Sequence, residues 1–353
     1  MPAPSLRELA RSLGLSHTTV SEALRDSPRV RPETRKRVLA AARAAGYRHN
    51  PLAGALMSEI RRSRAGTFRG VVALLDLDDP DGRPKHVQRF HSELSRGAKE
   101  RASELGFKVE PFVIGQRGLT EQRLDTILQS RGIRGVFLVP ANNPPDMLGL
   151  DWSRYAAIYA DYVIERPPLH TVCADHFRSM MTALMRVQRL GYRRPGLVLE
   201  EHHDERLLFR WEAAFRAFHE HHDEVEHLKP HIVPVISRES FLPWFKKAKP
   251  DVVMCHRSDV VEWMTSAGAE VPRTHGFCCL NVVMSSIPAA GLDLQPRALG
   301  ARGVEMLIGQ LLRNEYGIPD PPSSTSIPAV WVDGPTLRLQ IEAPLPEPEK
   351  PLV

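Results

Sequence analysis

No stretch of this chain approaches the ~20 uninterrupted apolar residues that a membrane-spanning helix needs. The N-terminal run MPAPSLRELARSL has no apolar segment of the kind a secretory signal carries, so the sequence reads as that of a cytoplasmic protein. Cysteine is scarce. The four, Cys173, Cys255, Cys278 and Cys279, form no C-x-x-C pair, which argues against a zinc ribbon and against a disulfide framework. They read as buried thiols in a reducing compartment. Catalytic signatures are missing too. There is no G-x-S-x-G elbow, no Walker loop and no G-x-G-x-x-G behind a strand. No acidic cluster has spacing suited to a catalytic metal. The sequence therefore points to a non-enzyme without a cofactor. The C-terminal tail has no leucine heptads, and nothing there supports a coiled-coil tetramer.

What is present is ordinary in bulk and uneven in detail. The 353 residues are 42% hydrophobic and 25% charged, enough for two or three folded units. Residues 1–64 hold 13 Lys and Arg against 5 Asp and Glu, whereas the remainder holds 34 against 37. A strongly basic head on a faintly acidic body suggests that the head meets a polyanion.

The head has helical punctuation. Ser5-x-x-Glu8 can form a capping box, and Leu6, Leu9, Ala10 and Leu13 follow at helical spacing. Gly14 suits the left-handed end of that helix, and Leu15 plugs the turn. Ser16 can cap a second helix over about 17–25, with Val20, Ala23 and Leu24 on its apolar face. Two short helices joined through a glycine turn are a helix-turn-helix, whose second helix fits the major groove. His17, Thr18, Ser21 and Glu22 would then face base edges. A third helix opens at Pro32, repeats Val38, Leu39 and Ala42, and closes at Gly46. Asn50 and Pro51 can start a short helix through Leu52, Ala53, Gly54, Ala55, Leu56 and Met57.

Three blocks now stand in order: LRELARSLGLSHTTVSEAL, VRPETRKRV and AAGYRHNPLA. Together, across about 55 residues, they resemble the LacI/GalR family of bacterial repressors. The resemblance implies a DNA-binding headpiece, a hinge helix and a ligand-sensing core, working as a homodimer on pseudo-palindromic operator DNA. It puts His17, Thr18, Ser21 and Glu22 at the major groove. It adds Ser5, Leu6, Ser16, Thr19, Arg25, Arg31 and Tyr47 as DNA contacts. Asn50 and Ala53 fall in the hinge helix, with Leu56 as the minor-groove wedge that unstacks a base step. Two departures matter. Glu22 stands where many members carry a basic residue. Gly54 and Ala55 replace more polar hinge residues, and glycine weakens a helix by up to ~1 kcal/mol.

From about Phe68 the pattern changes to alternation. Strands are expected near 70–76, 107–114, 136–139, 156–160, 196–199, 231–236, 252–255 and 276–280. Helices are expected near 87–105, 121–130, 176–190, 205–220 and 258–267. Such alternation argues for open α/β sheets, and two such lobes would enclose a cleft. The resemblance implies the same: an all-α helix-turn-helix headpiece followed by an α/β two-lobed core similar to type 1 periplasmic binding proteins. It points to Asp76, Asp161, Arg210, His256, Arg257 and Asn281 as ligand contacts. His256 and Arg257 replace a common Asn-Asp, and Asn281 replaces a common Asp. Losing two acceptor acids suggests a donor-rich cleft for a sugar-derived or anionic ligand that arginine can grip.

The expected map is a headpiece over 1–49, hinge and linker over 50–66, and a core over 67–340. Within the core, one lobe takes about 67–170 and 294–325, the other about 171–293 and 326–340. The proline- and acid-rich 341–353 reads as a disordered tail. The histidines at 202–203 and between 219 and 231 read as surface rather than metal ligands. Two rivals remain. A solute-binding transport component would need an export signal and no basic head. A DNA-processing enzyme would need clustered acids.

Overall fold

The computed structural model describes residues 6–24, 30–44, 68–143 and 145–338. Expectations at Ser5, Arg25, Tyr47, Asn50, Ala53 and Leu56, for the hinge helix and for the tail, lie outside the described residues. The chain divides into two compact units, Met1–Thr67 and Phe68–Val353.

The first unit contains α1 (Leu6–Leu13), α2 (His17–Leu24) and α3 (Pro32–Ala44). Gly14 sits at φ +64°. Its amide donates to the Arg11 carbonyl (3.2 Å) and that of Leu15 to the Ala10 carbonyl (3.0 Å). This is the paired bonding that ends a helix on a left-handed residue. Ser16 Oγ accepts from the Thr19 amide at 3.0 Å and so caps α2. Arg37 donates to the Leu13 carbonyl (2.9 Å), placing a cation at the negative end of α1. Ala10, Val20, Ala23, Val30, Val38 and Ala42 form the small core, with Leu15 packed against it. Leu39, expected inside, lies on the surface because Val38 and Ala42, one turn apart, already set the buried stripe of α3.

The second unit is built on two six-stranded sheets. One uses β1 (Gly70–Asp76), β2 (Phe107–Val113), β3 (Gly135–Leu138), β4 (Ala156–Tyr159), β5 (His170–Ala174) and β11 (Ser324–Ile327). Its order is β11-β5-β4-β3-β1-β2, and every pairing is parallel. The other uses β6 (Pro195–Glu200), β7 (His231–Val233), β8 (Val252–Cys255), β9 (Gly276–Cys279), β10 (Gly291–Asp293) and β12 (Val330–Val332). Its order is β12-β10-β9-β8-β6-β7, with only β12 antiparallel. All four residues of β3, β4, β8 and β9 are buried. Helices on both faces of a parallel sheet produce such unbroken apolar strands.

On the first sheet lie α4 (Lys85–Glu104), α5 (Glu121–Ser130) and α11 (Pro296–Arg313); α11 packs along α4. The second lobe carries α6 (His176–Arg189), α7 (Glu201–Arg206), α8 (Arg210–His221), α9 (Arg238–Ala248) and α10 (Val260–Ser266). The chain passes between lobes after β5, after β10 and after β11. The first crossing follows Ala174, later than the boundary expected at 170, because β5 pairs with β4 and β11.

One expected helix is corrected. The run expected over 205–220 is two helices, split at Leu207–Phe209. Leu208 and Phe209 both have φ +55°. The amides of Leu207 and Phe209 turn back to the Asp204 carbonyl (3.0 and 2.8 Å). No glycine or proline marks this break.

Candidate functional site

In the head, α2 places Thr18, Ser21 and Glu22 within its eight residues, His17 at its start and Leu6 at the start of α1. Ser16 and Arg31 are exposed, whereas Thr19 and Glu22 are half-buried. Ser16 Oγ and Thr19 Oγ1 bond each other at 2.7 Å, so Thr19 helps to fix the entry to α2. Two helices in a helix-turn-helix, the second capped at its N-terminus, can present side chains to a groove about as wide as a helix.

In the core unit a cavity of about 850 Å³ lies between the two sheets. That is a size suited to a small organic ligand. Most of its polar residues directly follow strands. Asp78 and Asp79 follow β1, and Asn142 follows β3. Asp161 follows β4, Glu200 ends β6, His256 and Arg257 follow β8, and Asn281 follows β9. Open α/β sheets place ligand sites at the carboxyl ends of their strands, where the backbone turns out of the ladder.

Asp161, His256, Arg257 and Asn281 therefore meet in one cavity, as expected. Asp76 and Arg210 do not line it. The Asp76 carboxylate lies behind the wall and takes both ends of the Arg83 guanidinium, Nη1 at 2.7 Å. Arg210 opens α8 beyond the break and lies over the Tyr162 ring, 4.2 Å from its centre. From this segment it is Arg206, one turn earlier, that reaches the cavity. Sequence reading also missed Arg83, His91, His202, His203 and Glu200. The strand-end rule would have found Glu200.

The donor-rich cleft is not what the structure shows. Arg83 pairs with Asp76 and lies 3.6 Å from Asp78. Arg206 pairs with Asp161. Arg257 pairs with Asp259 and lies 3.7 Å from Glu200. Each lining guanidinium already faces a carboxylate. Burial pushes the Asp161 carboxyl up, opposed by Arg206 and by the amide of Tyr162. The His256 imidazole, 3.6 Å from Glu200, holds that carboxyl below its ordinary value.

Six histidines line this cavity: His86, His91, His176, His202, His203 and His256. His203 and His256 stack, with ring centres 4.9 Å apart. Burial first, then Arg257 and His256 of the other lobe, pull the His86 pKa down. Burial carries His91 and His176 to about 3. Among the described residues no group of three or more His, Cys, Asp or Glu is placed to hold a metal ion. No helix among them is long and apolar enough to cross a membrane.

The family model described as "Bacterial regulatory proteins, lacI family" matches residues 5–50. Similarity to one relative runs far beyond the head. The "HTH-type transcriptional regulator AglR" of Rhizobium meliloti is 26% identical over 325 residues, covering 87% of this chain and 88% of that protein. Over residues 5–50 the head is similar to the lacI family. Two solved structures share its fold at low identity. The complex "transcriptional regulator CelR-cellobiose" aligns with a TM-score of 0.56 at 17% identity, over 94% of this chain and 99% of that one. The lac repressor dimer bound to operator and the anti-inducer ONPF aligns at 0.52 and 16%, over 95% and 99%.

In the core the buried imidazoles carry a pH prediction. A histidine at about 3 when folded and about 6.5 when unfolded binds more protons unfolded. Its contribution is complete above pH 6.5 and is lost as pH falls toward 3. At pH 5 each of His91 and His176 then removes about 2 kcal/mol. Asp204 works the other way. Burial raises its carboxyl to about 6, so it returns about 1 kcal/mol at that pH. The core is expected to melt lower at pH 5 than at pH 7. His91→Gln and His176→Gln should each flatten that dependence in calorimetry. A parallel pH profile in both variants would contradict the assignment.

Proposed function

We propose that this chain is a sequence-specific DNA-binding transcription regulator of the repressor type, whose hold on its operator is set by a small ligand in the interlobe cavity. The observation that carries the reading is the capped α2 behind a left-handed Gly14 turn, within the residues matched by the family model. Thr18, Ser21, Glu22 and His17 are assigned to base edges. Ser5, Leu6, Ser16, Thr19, Arg25, Arg31 and Tyr47 are assigned to the backbone and flanks, and Asn50, Ala53 and Leu56 to the hinge. Two heads of a homodimer would read two half-sites, since twofold protein symmetry calls for twofold DNA symmetry. The regulator would work in the cytoplasm on nucleoid DNA, and no reaction is assigned to it.

Asp161, His256, Arg257 and Asn281 are assigned to the ligand, joined by Arg206 and Glu200. Paired guanidinium and carboxylate groups offer donors and acceptors side by side, which suits hydroxyls that both give and accept. They offer an anion no free cation. The ligand is therefore an uncharged, hydroxyl-bearing molecule. Coupling of this kind is typically 1–3 kcal/mol, roughly 5–150-fold in DNA affinity.

Two experiments test this. Selection of bound genomic fragments at low salt should return a pseudo-palindrome; no preference over random duplex would refute the regulator reading. For the ligand, metabolite extract passed over an anion-exchange resin should leave the activity that alters operator affinity in the neutral flow-through. Recovery of that activity only among the retained anions would refute the uncharged class.

A further inference from the structure

Helix α7 is six residues long, and two of its side chains leave their own lobe. His202 and Arg206 stand four residues apart, one helical turn, and so share a face. His202 Nε2 lies 2.9 Å from the carbonyl of Asn142, in the loop after β3. Arg206 pairs with Asp161, just beyond β4. Since β3 and β4 are neighbours, α7 reaches across the cavity to two adjacent strand ends of the opposite lobe.

Both footholds are fixed within the first lobe. The Asn142 amide donates to Asp78 Oδ2 at 2.9 Å, and Asp78 lies 3.6 Å from Arg83. Asp161 Oδ1 accepts from the Tyr162 amide at 2.9 Å. In the other direction, Arg89 of α4 donates to the Met284 carbonyl at 3.1 Å. Behind α7 comes the joint at Leu208 and Phe209, both left-handed and both half-exposed. Bulky residues rarely adopt that backbone, and such outliers cluster at ligand clamps and switch segments.

We propose that α7 is a clasp joining the two lobes from inside the cavity, and that a ligand acts by inserting between Arg206 and Asp161. This rests on the reading that the cavity binds an effector. Asp161 and Arg206 contribute to ligand binding only after giving up each other. A hydroxyl that donates to the carboxylate and accepts from the guanidinium leaves neither charge bare, whereas a group satisfying one alone strands its partner in a buried site. The clasp therefore favours ligands able to do both and makes the lobe arrangement depend on that exchange.

Nitroxide labels test the clasp in the full chain. Ser130→Cys and Ser266→Cys place them on exposed positions, one per lobe, and the chain's own four cysteines are buried. Without added ligand, one narrow interlobe distance is expected. Asp161→Asn should add a second, longer population, and Asp161→Asn with His202→Ala should make it dominant. Arg206→Lys, which keeps the charge but shortens the reach, should act in the same direction if the Asp161 variant folds poorly. Arg154→Gln, breaking an exposed pair with Asp151 outside the cavity, should leave the distance unchanged. An unaltered distribution in both Asp161→Asn and Arg206→Lys, with native circular dichroism, overturns the proposal. Failure of the DNA-binding reading would appear separately, as lost fragment preference, because the distance measurement involves no DNA.

Discussion

Val20→Asp is expected to abolish specific DNA binding, by at least about 100-fold, while the two-lobed unit melts as before. Val20 is fully buried, at 0% exposure, in a core of six small side chains. A carboxylate there has no partner within that apolar set, and stranding one costs several kcal/mol. A unit of this size has only a few kcal/mol to lose. The large core clusters of the second unit contain no residue of the head. Its transition should therefore stay within about 1 °C in calorimetry, while anisotropy with a selected operator reads the affinity. Leu39→Asp, on the surface of α3, is the contrasting change and should cost little. Operator binding that survives Val20→Asp would mean that DNA is held by some other part of the chain.

The head was legible because its signals are local. Gly14, Ser16 and Pro32 each mark a helix boundary through backbone chemistry that neighbours cannot override. Strands β1 to β4 of the first sheet were legible for a related reason, since β1 and β3 are short apolar runs between polar turns, whereas β5 and β11 were not anticipated. What escaped was set by tertiary contact. Helix α11 buries Pro296, Leu299, Gly300, Gly303, Val304, Leu307, Ile308 and Gln310 along one face, and it contains three glycines. Two of those glycines stand in the buried stripe itself, so neither a strongly apolar face nor high propensity announces it. Helix α9 hides behind Pro243 in its interior. Strands β10 and β12 are three residues each and exist through pairing.

The cavity was half legible for the same cause. Residues after strands could be anticipated, since period and topology put them at one rim. Arg206 could not. Its place depends on a left-handed joint between two leucine- and phenylalanine-bearing turns, where nothing in residue type suggests a break. The same joint carries Arg210 away onto Tyr162. Charge was misread for a further reason. Counting arginines near the cleft shows donors, but only the fold shows that Asp76, Asp161 and Asp259 have already taken them.

Two alanine substitutions on one helix should move stability in opposite directions. A Cβ on Gly300 would stand 1.9 Å from the Leu94 carbonyl oxygen, and one on Gly97 would stand 1.9 Å from that of Arg297. Helices α4 and α11 thus touch backbone to backbone, each through a glycine of one and a carbonyl of the other. No rotamer change can relieve either clash, so Gly300→Ala must force the helices apart. A loss above about 3 kcal/mol is expected, which lowers the core transition by roughly 6–12 °C for a unit of this size. Gly309 lies on the same α11, where an added Cβ meets only the flexible end of Arg313, at 3.0 Å. There Gly→Ala removes up to ~1 kcal/mol of helix penalty and should raise the transition by a few degrees. The effect reaches the cavity because α4 also carries His86, His91 and Arg89. Separating α4 from α11 shifts the first lobe's wall against the clasp, so Gly300→Ala should weaken ligand response even below its melting point. Equal effects from the two alanines would show that the close approach of these helices is not what holds the lobe together.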